Sequence, residues 1–416
     1  MTRPGDVTEQ ERIHREIPSC WREGRAPPLR KDCPTNYNLK NLRKEDKVEK
    51  IKAFLKRKDI ILSGKRYGID ALGAMAQGLF CTLLVGTILN TIGQQFGIAF
   101  LNAPVVELKS GSEVVLSYTI GGLASLMVGS GIAVAIGFAL KAPPLVLFTL
   151  IPVGFAANLM GGAGGPLAVY FVAIIACECG KLVSKETKID ILVTPIVTIL
   201  VGVGISCLIA APIGTAASAV GEAVKWATNQ QPFLMGILVS AIIGIALTLP
   251  ISSAAICAAL GLTGLAGGAA VAGCCAQMVG FAVMSYKENG FGGLVAQGVG
   301  TSMLQMPNIV KNPRIWIPPT LASMITGPIA TCIFKLEMNG APVSSGMGTC
   351  GFVGQIGVYT GWVNDVASGA KAAITAMDWV GMALICIVLP AVLSFVFCQI
   401  LRKIGWIKEN DLKLDL

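Results

Sequence analysis

Beyond residue 66 the 416-residue chain carries few polar side chains, and their types point to one kind of chemistry. Asn158, Gln277, Gln297, Gln305, Asn308 and Gln355 lie in apolar or glycine-rich surroundings. Amides donate and accept hydrogen bonds without carrying charge. Such a set suits a neutral polyhydroxyl ligand better than an ion, whose burial calls for opposing charge. Glu178 is the clearest carboxylate inside an apolar run. It can accept from ligand hydroxyls or carry a proton; equally, it can pair with Lys181 one turn later. The candidate substrate-binding residues are therefore Asn158, Glu178, Gln297, Gln305, Asn308 and Gln355. No catalytic residue is expected, because the one His is His14 in the tail and no nucleophile stands beside a base.

The thirteen cysteines do not alter that reading. Only Cys20 and Cys33 precede residue 66, and the pairs Cys177-x-Cys179 and Cys274-Cys275 sit among Ala, Gly and Ile. A zinc site wants four ligands at set spacings, usually with His. Cysteine here reads as small apolar filler, and neither a metal nor a cofactor is expected.

The elements that must position these residues follow from composition. Hydrophobic residues make up 53% of the chain, charged residues 14%, and the mean hydropathy is +0.68. An ordinary soluble domain carries about a quarter charged residues, so the chain is read as a polytopic membrane protein. Residues 1–66 hold 18 Lys+Arg against 10 Asp+Glu; the rest hold 15 against 14. The net charge of +9 thus belongs to the tail, a mixed-sign arm rather than the basic face of a nucleic-acid-binding domain. Residues 1–40 read as largely disordered and 41–62 as a basic amphipathic helix, for a membrane surface or for the protein itself. The tail lacks the short apolar stretch and cleavage site of a secretory signal.

A hydrocarbon core about 30 Å thick needs about 20 helical residues. Candidate spans are 70–92, 114–139, 144–160, 166–183, 191–211, 232–250, 252–268, 270–285, 315–334 and 379–401. The cut inside 252–285 can also be made as one tilted helix and one broken one. Residues 290–308 and 340–362 are glycine-rich and poor in charge, and read as re-entrant segments. The expected fold is an all-α polytopic membrane protein of about ten transmembrane helices with two re-entrant or broken segments. It comprises a 1–66 tail, a 67–405 membrane domain and a 406–416 C-terminal tail. Lys and Arg favour the loops on the N-terminal side, which predicts that both termini are cytoplasmic. Glycine fills 46 positions after residue 66, and clusters such as NLMGGAGGP (158–166) suit close backbone packing and broken helices.

The segments QGVGTSMLQMPN (297–308), NPRIWIPPTLAS (312–323) and GPIATCIFKLEMNGAPVSSGMGTCGFVGQ (327–355) closely resemble the second EIIC branch of the bacterial phosphotransferase system. This branch includes perfringolysin-regulator-like membrane proteins. The resemblance extends over roughly residues 65–405. It implies a permease of the bacterial inner membrane, the sugar-translocating IIC component, with cytoplasmic IIB and IIA partners and a homodimeric assembly. Phosphotransferase activity would then rest on the separate IIB partner. Sugar-carrying members commonly place a His near the sugar, and residues 67–405 have none. The alternative is a membrane-bound solute sensor that signals through the basic N-terminal tail; a channel is a third reading, disfavoured by the lack of a charged ring.

Overall fold

The computed structural model describes residues 49–110 and 113–414. The expectations for residues 1–40, including Cys20 and Cys33, and for most of the tail lie outside them. The chain divides into two compact units, Met1–Lys58 and Asp59–Leu416. In the first, residues 49–57 are helical, and Arg57 and Lys58 lie over the Phe54 ring at 5.1 and 5.5 Å.

The second unit is helical apart from one hairpin among the described residues, an all-α polytopic membrane protein. Helices α1 (Ala71–Leu79) and α2 (Val85–Phe96) run on through a π-turn at Phe80–Leu84. Strands β1 (Val106–Ser110) and β2 (Glu113–Tyr118) pair antiparallel, with a bulge at Leu108/Lys109. The expected span 114–139 therefore begins too early: its first residues are β-branched and aromatic and pair as a strand. Helix starts only at α3 (Ile120–Leu126), capped by Thr119, and bends by 53° into α4 (Val128–Ala139).

Helix α5 (Pro144–Gly161) starts on a proline and stops where Gly162 takes a φ of +50°. Its continuation α6 (Gly165–Val183) folds back, so that Val146 near the start of α5 packs on Gly180 near the end of α6. Helix α7 (Asp190–Thr228) continues well past the expected limit at 211 despite internal Pro195 and Pro212. Then come α8 (Pro232–Thr248), short α9 (Ser253–Leu260) and α10 (Gly264–Met284). The boundary inside 252–285 thus falls at Gly261–Gly264, both of positive φ, giving one short and one full helix.

Next come α11 (Tyr286–Val295), a π-turn at Ala296–Gly300 and α12 (Met306–Lys311), the broken stretch expected at 290–308. Helix α13 (Ile317–Pro328) extends as a π-turn to Ile333. Short 3-10 turns at Pro342–Gly346 and Cys350–Phe352 precede α14 (Val353–Ala367), the second broken stretch. Helices α15 (Ala376–Ala383) and α16 (Leu389–Lys403) complete the chain, joined by a π-turn.

Five helical runs among the described residues are long and apolar enough to cross a membrane, six with the bent α3–α4 pair. One of the five, Pro144–Val183, is the doubled-back α5–α6 pair. Ten spans are not confirmed, because several expected spans are too short or are broken.

Helix α10 is the axis of the bundle: 89% of its apolar window is buried. A helix apolar all round belongs inside, and its Gly, Ala and Cys residues let neighbours approach at backbone distance. A Cβ on Gly273 would overlap the Ser240 carbonyl of α8, and one on Gly327 of α13 the Gly236 carbonyl. Gly129 of α4 and Gly154 of α5 stand in the same relation to each other's carbonyls. Backbone cannot move aside as a flexible side chain can. We expect Gly273→Ala and Gly154→Ala each to lower stability by ~1–3 kcal/mol, measured by thermal unfolding in detergent micelles; unchanged midpoints would contradict this packing.

Candidate functional site where four chain reversals meet

Four interruptions of helix converge beneath α1 and α2. They are the α5–α6 turn at Gly162–Gly164, the α8–α9 break around Pro250, the break at Thr301 and the turns near Gly348. Local sequence explains each. Gly162, Gly348 and Gly351 have positive φ, a conformation glycine adopts without steric penalty. Thr301 is extended, and its hydroxyl accepts from the Met303 amide at 3.2 Å. Ser252 likewise caps α9 by accepting from the Ala255 amide.

The interruptions satisfy one another. The Ser252 amide donates to the Ala163 carbonyl at 3.0 Å. Ser253 Oγ donates to the Gly346 carbonyl at 2.7 Å, and the hydroxyls of Thr248 and Ser302 lie 2.8 Å apart. Phe80, at the start of the Phe80–Leu84 π-turn, closes against Gly300, where a Cβ would stand 2.6 Å from its ring. Between them lies a chamber of about 40 Å³, walled by Leu83, Leu84, Ser252, Thr301, Met303 and Cys350. A water needs about 10–15 Å³ on this measure, so the chamber admits water and excludes a sugar ring.

Uncharged polar groups surround it. Gln277 of α10, fully buried, accepts from Trp316 Nε1 at 3.0 Å and donates to Thr320 Oγ1 at 3.2 Å. Gln355 Nε2 contacts Cys275 Sγ at 3.2 Å, while Gln355 Oε1 and Thr349 Oγ1 are buried without a hydrogen-bond partner. Buried polar atoms are nearly always paired, so these two are open positions; Thr349 is the chain neighbour of the wall residue Cys350, and Gln355 lies in the first turn of α14.

The six residues expected from sequence fall into three places. Asn158 packs at the α5–α6 turn, against Gly129 and Gly165, and Gln355 follows the Gly348–Gly351 turns; both belong to the convergence. Gln297, Gln305 and Asn308 form a ladder away from it. Gln305 Nε2 donates to Gln297 Oε1 (2.8 Å) and to the Leu412 carbonyl (3.0 Å). Asn308 Nδ2 donates to Gln305 Oε1 (2.9 Å) and to the Lys413 carbonyl (2.8 Å). Asn289 and Asn312 extend this clasp to Leu412 and Trp406, and Leu412 is fully buried. Ser252, Ser253, Thr301 and Thr349 were missed. Their signal was position rather than residue type: Thr301 and Thr349 each follow a glycine, and Ser252 and Ser253 close the break that begins at Pro250.

Glu178 is elsewhere again. Its Oε2 pairs with Lys181 Nζ at 3.1 Å and its Oε1 accepts from Tyr67 OH at 3.0 Å. Lys181, 1% exposed, also donates to the carbonyls of Asp59 and Leu140, and Arg66 donates to the same Leu140 carbonyl at 2.6 Å. Two cations thus complete the C-terminus of α4, where unpaired carbonyls carry partial negative charge.

A family model described as Phosphotransferase system, EIIC matches residues 69–414. The chain belongs to this family. It is thus a multi-pass membrane component of a phosphotransferase transport system. The match includes the clasped C-terminal segment. No curated protein and no solved structure matches the chain.

Two predictions follow from the ionic cluster of this EIIC protein. Lys181→Met leaves Glu178 buried without its cation and should lower stability by ~3–5 kcal/mol. Glu178→Gln leaves the deeply buried Lys181 without its carboxylate and should also destabilise; the double variant should lose less than the sum of the two, and additive losses in thermal unfolding would contradict the pairing. Asp59 is bonded to Arg66 at 2.8 Å, and that hydrogen bond holds its carboxyl below the ordinary 3.8, against an opposing effect of burial. A lowered carboxyl stabilises the fold at pH above its ordinary value, and that contribution is lost as pH falls through the depressed one. Below pH 3.8 the unfolding midpoint of the native chain should therefore fall more steeply than that of Asp59→Asn.

Proposed function

We propose that this chain carries a neutral sugar across the bacterial inner membrane as the IIC component of a phosphotransferase system. The observation that carries the reading is the meeting of four helix breaks around uncharged hydroxyls and amides. Broken helices supply backbone groups that bind solutes at membrane depth, and irregular backbone is tolerated there only around a cavity or within protein.

In this reading Thr349 Oγ1 and Gln355 Oε1, two of the buried atoms without a hydrogen-bond partner, take up sugar hydroxyls, with Asn158 at the α5–α6 turn. Glu178 acts as a positioning residue on α6. Gln297, Gln305 and Asn308 stiffen the α11–α12 hairpin that carries Thr301 to the chamber. The chamber must enlarge to admit a sugar, and Met303 and the Phe80–Leu84 π-turn are the wall elements suited to move; π-turns frequently mark functional sites. Phosphoryl transfer is left to cytoplasmic IIB and IIA partners, since the site offers no nucleophile or base.

Orientation follows from charge. Arg66, Lys181, Lys287, Arg402 and Lys413 cluster at the end bearing the C-terminal segment, which favours a cytoplasmic location for that end. A homodimer is the expected assembly by family resemblance.

Proteoliposomes containing the full chain, offered radiolabelled sugars with and without cytosolic phosphotransferase proteins, test the proposal. Uptake of at least one sugar supports it; no uptake and no binding over a broad panel refutes it. Gln355→Leu should weaken apparent affinity roughly 2- to 12-fold, the worth of one hydrogen bond of about 0.5–1.5 kcal/mol.

A further inference from the structure

A second cavity, of about 300 Å³, lies along α1. Asp70, Gly73 and Gln77 form one helical face by their spacing of three and seven, and Gly73 meets Pro307 of α12. The cavity is lined by Asp70, Gln77, Phe138, Asn308 and Lys413. Both cavities touch α1, on different faces: Gln77 lines this one and Leu79, two residues on, lines the other.

Asp70 and Gln77 are exposed although both belong to the apolar run Arg66–Gln94. A carboxylate in such a run faces water or protein rather than acyl chains, so this face reads as the wall of a hydrated groove. Asp70 forms no ion pair among the described residues. The groove therefore presents a free carboxylate and the amide of Gln77. Its floor is the clasped Lys413, whose carbonyl is held by Asn308 at 2.8 Å. Its rim is Phe138, 77% exposed. A carboxylate and an amide for hydroxyls, with an aromatic ring for the C–H face, suit a carbohydrate, and the volume reaches the lower end of ligand pockets at about 300 Å³.

We propose that this groove is a second sugar-binding station, separate from the chamber and floored by the C-terminal segment. The sugar identity of its ligand rests on the transport reading above.

The test uses the full chain in proteoliposomes, with Ala139→Cys and, separately, Gly73→Cys, lining positions that leave Asp70 and Gln77 in place. A membrane-impermeant, charged methanethiosulfonate is supplied to both faces of the bilayer by freeze–thaw loading, and labelling is resolved by site with mass spectrometry. Native Cys207, exposed on apolar α7, is the internal control for a lipid-facing thiol. Glucose, galactose, N-acetylglucosamine and mannitol in excess are the probes. Both introduced thiols should react while Cys207 does not. At least one sugar should slow them about tenfold, the factor left when about nine sites in ten are occupied. Unreactive thiols would mean a lipid-facing surface and overturn the proposal; reactive thiols that no sugar protects would overturn it too. Should one variant not insert, the other carries the same test. Protection without uptake would remove the transport reading and leave the station; uptake without protection would do the reverse.

Discussion

In hydrocarbon, a backbone N–H or C=O without a partner costs several kcal/mol, and the architecture follows from meeting that constraint wherever a helix stops. The break before α9 is closed by the α5–α6 turn, through the Ser252 amide and the Ala163 carbonyl. Ser253 serves the Gly346 carbonyl, and Ser345 Oγ serves the Leu262 carbonyl at 2.6 Å. At the basic end, Arg66 and Lys181 share the Leu140 carbonyl. The C-terminal segment, which has no helix of its own, gives its carbonyls to Gln305, Asn308, Asn289 and Asn312. Broken pieces assemble because each completes another.

That assembly needs backbones at close range, and here glycine is structural before it is functional. Gly273 against Ser240 and Gly327 against Gly236 bring α8, α10 and α13 together, and in this tight packet Ser240 Oγ reaches the Ser323 carbonyl at 2.8 Å. Lipid gives helices no hydrophobic reason to associate, so close packing and interhelical hydrogen bonds do that work. The positive-φ glycines at 162, 348 and 351 play a different part: they turn the chain into the convergence.

Much of this was legible in the sequence, and the limits have physical causes. Apolar runs bounded by Gly and Pro locate α5, α6, α8 and the two broken stretches at 290–308 and 340–362. Hydropathy alone does not separate a strand such as Val114–Tyr118 from the helix after it, because both are apolar. Nor does it reveal that 252–285 holds one short helix and one full one. The Glu178–Lys181 pair is local and follows from spacing, but Tyr67 and Asp59 reach it across more than a hundred residues. The amides of Gln297, Gln305 and Asn308 were recognisable as buried polar groups. Their partners were not, because residues 406–414 are polar enough to pass for a free tail. Ser252, Thr301 and Thr349 were hidden by their ordinariness: only folding brings a hydroxyl at one helix break together with those of the others.

The same constraint separates structural polar groups from those left for a ligand. Every amide in the ladder spends its hydrogen on a carbonyl, a hydroxyl or another amide, so replacing one leaves an orphan and strains the fold. Thr349 Oγ1 and Gln355 Oε1 have no such obligation; Thr349 is the chain neighbour of Cys350, which walls a chamber too small for a sugar. A sugar that pairs those atoms and enters the chamber also needs the wall to move. The side made by Leu83, Leu84 and Met303 presents apolar side chains, whose displacement orphans no side-chain polar group. Movement there enlarges the chamber without breaking the bonds that hold the four reversals together.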